Sequence, residues 1–494
     1  MNPFRSSIQR GALLCGIVVM LGACAVGPDF VRPVAPDTGR YTREPLPAAT
    51  IPADGQAQQL TSGPALAADW WRLFKSEELD DVVRQAIANN PTLQASEASL
   101  RQSQDNLRAG YGIFFPKIGA EMDATRERSP PYEAGQRTPG TVFNLVTLNG
   151  VISYPLDVFG GERRAVEALR AQTDYQRCAA LAAYLTLTAN VVDTSIARAA
   201  YAAEVRSTEQ LIDLEKEQLR LTEAQVRAGT TPYSNLLSIR GQIAANQSLL
   251  APLRQAVSHA EHLLATLEGV VPSEVTLPAF ELSGLSLPSD LPVSLPSDLV
   301  RQRPDILSAE AQLHVASANI GVATAAMFPS FSLSGAYGAA STSLGNLTAA
   351  NARFWSIGPS ATVPLFQGGG LWFARKAAIA AYQQEQATYR QTVLNAFAQV
   401  ADSLKALEHD AEALQAQVEA KRAAGEALSL LQANYRAGLA AYPDVLVADV
   451  EYHQAVITYL EAVAQRQQDT VALFAALGGG WWNGRQPTGE YEAP

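Results

Sequence analysis

Three cysteines in 494 residues are too few for a disulfide framework, and two of them, Cys15 and Cys24, lie close to the N-terminus. The third, Cys178, stands in a helix-forming segment, where a lone thiol packs as a small apolar residue. Past residue 24 no run of 18 uninterrupted apolar residues occurs, so a bilayer could be crossed only by a barrel. Basic stretches are missing too. The formal net charge is −11, with 37 Lys and Arg against 48 Asp and Glu, which argues against a nucleic-acid partner. No Ser-His-Asp, Cys-His or paired-carboxylate arrangement stands out, and Gly368-Gly369-Gly370 lacks the following Lys-Ser/Thr of a phosphate loop. Neither an enzyme nor a bound cofactor is expected. His259 and His262 flank Glu261 on one helix face, but a solvated face accounts for them better than a metal site. His453 falls on a helix seam, as a packed histidine would.

The absence that shapes the fold is that of glycine and proline. Between Gly161 and Gly229 stand 67 residues containing neither, and Leu371 to Ala437 holds no proline and one glycine, Gly425. Both stretches are dense in Ala, Leu, Glu, Gln and Arg, which favour helix. At 1.5 Å per residue each would be a helix roughly 100 Å long, whereas helices of compact domains average about 11 residues. Returning helices follow. Leu249, Leu253, Ala256, Ala260, Leu263 and Leu267 keep the alternating four and three spacing of a coiled-coil seam, and Leu446, Val450, Ile457, Leu460, Ala464, Val471 and Phe474 fit the same register.

These two stretches belong to a duplication. Asn90-Pro91 through Phe115-Pro116 returns as Arg303-Pro304 through Phe328-Pro329, offset by 213 residues. Tyr154-Pro155-Leu156 returns as Val363-Pro364-Leu365, and Arg227-Ala228-Gly229 as Arg436-Ala437-Gly438 at an offset of 209. Landmarks recurring in one order describe a repeated unit of helices, a strand pair and a long helical hairpin. The first repeat is expected over 71–270, with its strand pair about 113–155, and the second over 298–478, with its pair about 328–364. A proline and serine linker over 271–297 joins them, and an irregular tail covers 479–494. In the strand segments Ile118, Ala120, Met122 and Ala124 alternate with Lys117, Gly119, Glu121 and Asp123. Phe331, Leu333 and Tyr337 alternate with serines, as do Trp355 and Ile357. Period-two alternation over about ten residues is the pattern of a membrane barrel strand, although a half-buried soluble sheet shows it too.

The N-terminus reads as a processing signal over 1–23. Arg5 and Arg10 precede a short apolar run, and Leu21-Gly22-Ala23-Cys24 has the form of a lipobox with Cys24 as the lipidated residue. From 24 to 70 a proline-rich extended tether follows, ending at Trp70-Trp71.

Taken together these residues resemble a TolC-like outer-membrane efflux factor of the lipoprotein branch. The resemblance rests on Cys24-Ala25-Val26-Gly27-Pro28-Asp29-Phe30-Val31-Arg32-Pro33, on Leu295-Pro296-Ser297-Asp298-Leu299 with Arg303-Pro304-Asp305-Ile306, and on Phe328-Pro329 and Pro364-Leu365-Phe366…Gly368-Gly369. It implies a mainly α chain with a membrane β-barrel: a homotrimer whose long α-helical coiled-coil barrel joins a 12-stranded β-barrel, four strands per chain. Four strands cannot close alone, which is consistent. It further implies a Gram-negative outer-membrane location, lipid anchored through Cys24 and extending into the periplasm. The partners would be a periplasmic adaptor protein and an inner-membrane RND-type transporter. The turns Arg227-Ala228-Gly229 and Arg436-Ala437-Gly438 would meet the adaptor, and Asp444 aligns with an aspartate lining the closed entrance. Where the family often has a second aspartate, this chain has Val447. An exit duct of a protein-secreting system shares the fold, and a pore-less periplasmic coiled-coil lipoprotein is the reading from another class.

Overall fold

The structure, a computed structural model, describes residues 25–45, 47–62, 66–128, 132–133, 136–137 and 140–481. The processing signal, Cys24 and the tail beyond 481 lie outside the described residues. Helices dominate: α1 (Glu77–Asn89), α2 (Pro91–Tyr111), α3 (Gly161–Arg227), α4 (Tyr233–Leu267), α5 (Pro296–Gln302), α6 (Pro304–Ala325), α7 (Gly370–Arg436) and α8 (Tyr442–Ala476). The strands are β1 (Gln59–Ser62), β2 (Lys117–Arg128), β3 (Tyr132–Glu133), β4 (Gln136–Arg137), β5 (Val142–Leu156), β6 (Asp290–Val293), β7 (Ser330–Ser341) and β8 (Arg353–Thr362). Helix α1 starts where Ser76 accepts the Leu79 N–H at 3.2 Å, and it buries Leu79, Val82, Val83 and Ala86. The helices α3 and α7 are each 67 residues long, as the stretches without proline require. Helix α3 carries one 18-residue window apolar enough to span a bilayer by length and composition, 39% of it buried within the chain. At 67 residues the helix is far longer than the roughly 20 residues that cross a bilayer, so the window is one stretch of a long helix and not a span with ends of its own.

The chain divides into two compact units, whose boundaries fall within α2, α3, α6 and α7. Among the described residues, one comprises those of 25–33, 99–176 and 309–389. Its centre is an antiparallel sheet in the order β2-β5-β7-β8, in which β5 and β7 join strands of the two repeats. Register turns four separate alternations into common faces, because a one-residue slip would invert every side chain. Ile118, Ile152, Gly335 and Ile357 stand in one row across all four strands, and the next row is Ala120, Gly150, Tyr337 and Trp355. Met122 and Leu148 follow, with Ala339 and Arg353. This apolar face is open: Ile118 is 82% exposed, Trp355 73% and Ile357 70%. The other face carries Lys117, Glu121, Asp123, Asn149, Ser334 and Ser356, with Phe143, Leu145 and Val151 of β5 and Phe354 of β8 as large apolar exceptions. From Leu156 to Val146 the apolar parity spans ten residues of β5, which at 3.3 Å per residue and a tilt near 40° makes a band about 25 Å tall. Arg126 and Arg128 share that parity beyond the Val146 row, and Arg353 stands in the Leu148 row just inside it, so the arginines of this face lie towards one end of the band.

Residues 25–32 are strapped onto this unit. Asp29 pairs with Arg164 at 2.6 Å, Arg32 with Glu310 at 2.6 Å, and Phe30 stacks on His314 with centroids 4.2 Å apart. The Val26 N–H donates to the Phe159 carbonyl just after β5. Gly368 and Gly369, with φ of 57° and 83°, turn the chain from β8 towards α7.

The second unit holds the described residues of 34–98, 177–308 and 390–481. Here the stretch read as a tether becomes part of the body. Strand β1 pairs in parallel with β6, Gln59 opposite Asp290 through Ser62 opposite Val293. Thus the segment read as a linker carries a strand that the sequence did not announce, since four residues with a proline show no period. Trp70 and Phe474 pack with centroids 5.5 Å apart. The α4 seam also differs from the sequence reading. Leu236, Ile239, Ile243, Asn246, Leu250, Ala260 and Leu264 are buried, with Leu253 and Val257 half-buried between them, whereas Leu249 and Leu263 are exposed. Leu249-Leu250 and Leu263-Leu264 are adjacent leucines, so composition leaves two registers open and only packing selects one. Along α8, Ala464, Val471 and Phe474 are buried as expected, but Val450 is exposed.

Candidate functional site

The two hairpin turns are stereochemical copies. Gly229 has φ 78° and Gly438 φ 76°, the left-handed conformation that ends a helix at little cost only for glycine. The Gly229 N–H donates to Val226 O and Thr230 N–H to Gln225 O, both at 3.0 Å; Gly438 N–H donates to Tyr435 O and Leu439 N–H to Asn434 O at 3.0 and 2.8 Å. A Cβ at either glycine would meet nothing within 4 Å, so backbone conformation alone demands the residue. Arg227 and Arg436 close their helices as exposed cations, favourably placed for the helix dipole. One bond absent from the sequence reading links the hairpins above the turns: Tyr435 Oη donates to Gln225 Oε1 at 3.3 Å.

Asp444 is exposed in the first turn of α8, after Pro443, and its Oδ2 accepts the Ala441 N–H at 3.1 Å. The arrangement does two things chemically: it satisfies a free helix-terminal donor, and it leaves a carboxylate facing solvent. Arg436, Gly438 and Asp444 therefore gather at one turn, and Arg227 and Gly229 at the other. His259 and His262 are exposed, and Glu261 pairs with Arg198 at 3.2 Å. His453 is buried, 3.4 Å from the Thr208 hydroxyl, and burial lowers its pKa.

Buried carboxyls in this unit escaped the sequence reading. Glu204 and Glu215 are 3% and 4% exposed, on the face of α3 that also buries Thr208, Leu211 and Thr222. Acidic residues recurring in that apolar register were the available signal. Burial first, then Glu461, pushes Glu204 up to about 7. Burial pushes Glu215 to about 7 as well, with Asp449 adding to it and the Asn246 side chain opposing it. Burial alone lifts Asp449 to about 6. Asp410 is raised by burial and by its neighbour Asp469. A carboxyl whose pKa is raised by folding favours the folded state fully below its unfolded value, near 4.3, and loses that contribution as pH climbs through the folded value. Glu204→Gln is therefore expected to flatten the fall in thermal stability between pH 4.5 and 7, and to stabilise the protein at pH 8 by up to ~3 kcal/mol. Equal melting shifts with pH in both proteins would count against a buried, proton-holding Glu204.

The sequence model of a family described as "Outer membrane efflux protein" matches residues 82–270 and 295–479, once in each repeat. The chain is similar to the outer membrane protein OprJ of Pseudomonas aeruginosa, 30% identical over 476 residues that cover 95% of each chain. It is similar also to a probable outer membrane lipoprotein, SilC, of Salmonella typhimurium, 26% identical over 94% of this chain and 97% of that one. Among solved structures it resembles the outer-membrane channel OprN, with a TM-score of 0.82 and 26% identity over 93% of this chain and all of the other.

Proposed function

The chain belongs to the outer membrane efflux protein family and is an outer-membrane efflux channel, and on that premise we propose that it acts as the lipid-anchored exit duct of a tripartite efflux pump. The observation that carries this reading is the sheet: four strands, one continuous apolar face open to its surroundings, and outer edges on β2 and β8 with no strand partner among the described residues. Unpaired backbone groups cannot stay in hydrocarbon, so the edges must be closed by other copies. Three chains supply twelve strands, a size within the known range of barrels. Their α3, α4, α7 and α8 helices would pool into a twelve-helix periplasmic conduit. Exposed Leu249 and Leu263, off the seam used within one chain, supply apolar surface for the neighbouring protomer.

In this assembly the duct is passive. An inner-membrane RND-type transporter, joined through a periplasmic adaptor, drives drugs or other small molecules into it. Arg227, Gly229, Arg436 and Gly438 form the adaptor-facing turns. Lipid on Cys24, as the likeness to a probable lipoprotein supports, anchors a strap that continues into the ion pairs of Asp29 and Arg32. Native mass spectrometry of protein extracted from outer membranes tests the assembly: the expected mass is three mature chains, each lipidated, and a monomer would overturn it.

Asp444 is the entrance residue in this reading. Three exposed carboxylates around a three-fold axis attract cations at an entrance that the turns and the Asp444–Ala441 cap hold narrow. Asp444→Ala is expected to raise single-channel conductance in planar bilayers severalfold. Asp444→Asn, which keeps an acceptor for the Ala441 N–H, is expected to reproduce the loss of cation preference with less loosening. Unchanged conductance and selectivity in both variants would remove the gate role.

A further inference from the structure

Each hairpin of the four-stranded sheet ends, away from the helices, in an arginine on the apolar face. The chain enters β2 from α2 and leaves β5 for α3 at the end where Lys117 pairs with Ser153. It enters β7 after α6 and leaves β8 towards α7 at the end where Ser330 pairs with Thr362. At the opposite end the last pairs of the two hairpins are Arg128 with Val142 and Arg353 with Ala339. With the long helices of an outer-membrane efflux channel in the periplasm, that end faces the exterior.

Parity separates sign as well as polarity. On the apolar face the four strands carry three charged side chains, Arg126, Arg128 and Arg353, all cationic, all exposed and all towards this end. The other face mixes signs, with Lys117, Glu121, Asp123 and Glu127. Glu127 stands between two of the arginines in sequence but points to that other face, where it accepts from the Thr125 hydroxyl at 3.1 Å. An arginine facing lipid is costly at mid-membrane and nearly free at the interface, which places this end of the band at headgroup depth. Trp355 and Tyr337, paired one row further in and 73% and 62% exposed, are side chains that favour the same depth.

Depth alone does not require one sign, since a carboxylate there would reach water equally well. The occupant that one sign calls for must present anionic oxygens at the surface and acyl chains beneath them, because the arginines cap an apolar band. A soluble anion would leave Trp355, Met122 and Leu148 uncovered, and a zwitterionic headgroup brings its own cation to the arginines. We propose that the arginines of this face form a binding surface for the phosphate groups of lipid A, the phosphorylated acyl glycolipid of the outer leaflet. The planar guanidinium fork takes phosphate oxygens in pairs. Arg126 and Arg128, two residues and about 7 Å apart on one strand, can hold one phosphate between them. The surface rests on the reading of the sheet as a barrel wall. In that wall the outer edge β8 of one copy closes on β2 of the next, so Arg353 of one chain and the Arg126–Arg128 pair of another gather at each seam. Lipid A bound there bridges neighbouring copies.

The test is native mass spectrometry of the detergent-solubilised protein, freed of co-purified lipopolysaccharide and titrated with diphosphoryl lipid A, with its dephosphorylated form and with phosphatidylglycerol. Diphosphoryl lipid A is expected to bind roughly tenfold more tightly than either, and to lose most of that margin at high salt. Arg126→Gln, Arg128→Gln and Arg353→Gln together are expected to erase the preference, whereas Lys117→Gln on the other face keeps it in full. The comparison of lipids on the unaltered protein decides the matter even where the triple variant fails to assemble. Equal affinity for the phosphorylated and dephosphorylated forms, or an undiminished preference in the triple variant, would overturn the surface while a trimer mass upholds the duct. Equal affinity for phosphatidylglycerol would assign the arginines to anionic headgroups at large and overturn lipid A as their partner. A monomer would overturn the barrel reading and this surface with it.

Discussion

Ile357→Arg is expected to abolish assembly in the outer membrane, while Ser356→Arg, its neighbour on the same strand, is expected to be tolerated. The two residues point to opposite faces of β8, and the register places Ile357 in the row with Ile118, Ile152 and Gly335. That row lies well inside the apolar band, where an arginine facing lipid costs about 2–4 kcal/mol per strand. In a trimer the cost is met three times over in one barrel. Ser356 stands opposite Ala336 on the face with Lys117, Glu121 and Asn149, where a further charge meets water. The readout is the fraction of protein recovered from outer membranes as a species resistant to urea extraction. Equal recovery of the two variants would mean that the faces have been assigned wrongly.

The second large effect is expected at Arg466. Its side chain is 1% exposed, yet its hydrogen bonds go to neutral acceptors. Nε donates to Gln58 Oε1 at 3.1 Å, Nη2 to Thr50 Oγ1 at 3.2 Å and Gln56 O at 3.3 Å, and Nη1 to Ala53 O at 3.4 Å. Gln58 is itself wholly buried, and its amide also donates to Thr470. One guanidinium thus fastens residues 50–58 onto α8, with Asp410 near enough to favour its charge. Arg466→Leu removes these donors together and leaves several buried oxygens without partners, at a cost of about 3–5 kcal/mol. The expected result is a lower melting temperature together with loss of amide protection along residues 50–62 before the long helices open. Unchanged protection there would show that the β1–β6 pairing holds the strap without the arginine.

The success of the sequence reading followed the range of each signal. Helix and strand are repeated local choices, so a 67-residue stretch free of proline, or ten residues of strict alternation, carries its own evidence. The turns at Gly229 and Gly438 were legible for the same reason, because positive φ is a property of one residue. Seams were only half legible. Adjacent leucines at 249–250 and 263–264 satisfy two heptad registers equally, and the choice between them depends on what faces α4. Asp444 shows the same boundary: its place after Pro443 was readable, while its acceptance of the Ala441 N–H appears only in the folded turn.

The sequence by itself determined the duplicated plan, the long helical hairpins, the alternating strands and the resemblance that led to the family. Each is encoded by a period or a motif within a few tens of residues. Tertiary structure alone decided which strand faces coincide, which leucines form the seam, and that β1 pairs with β6 some 230 residues away. It also decided that Arg126 and Arg353 fall on one face of the sheet and that Arg466 reaches back across more than 400 residues to Gln58. Those outcomes turn on register and on the cost of burying charge. Both are properties of pairs of distant segments, and neither leaves a periodic mark on the chain.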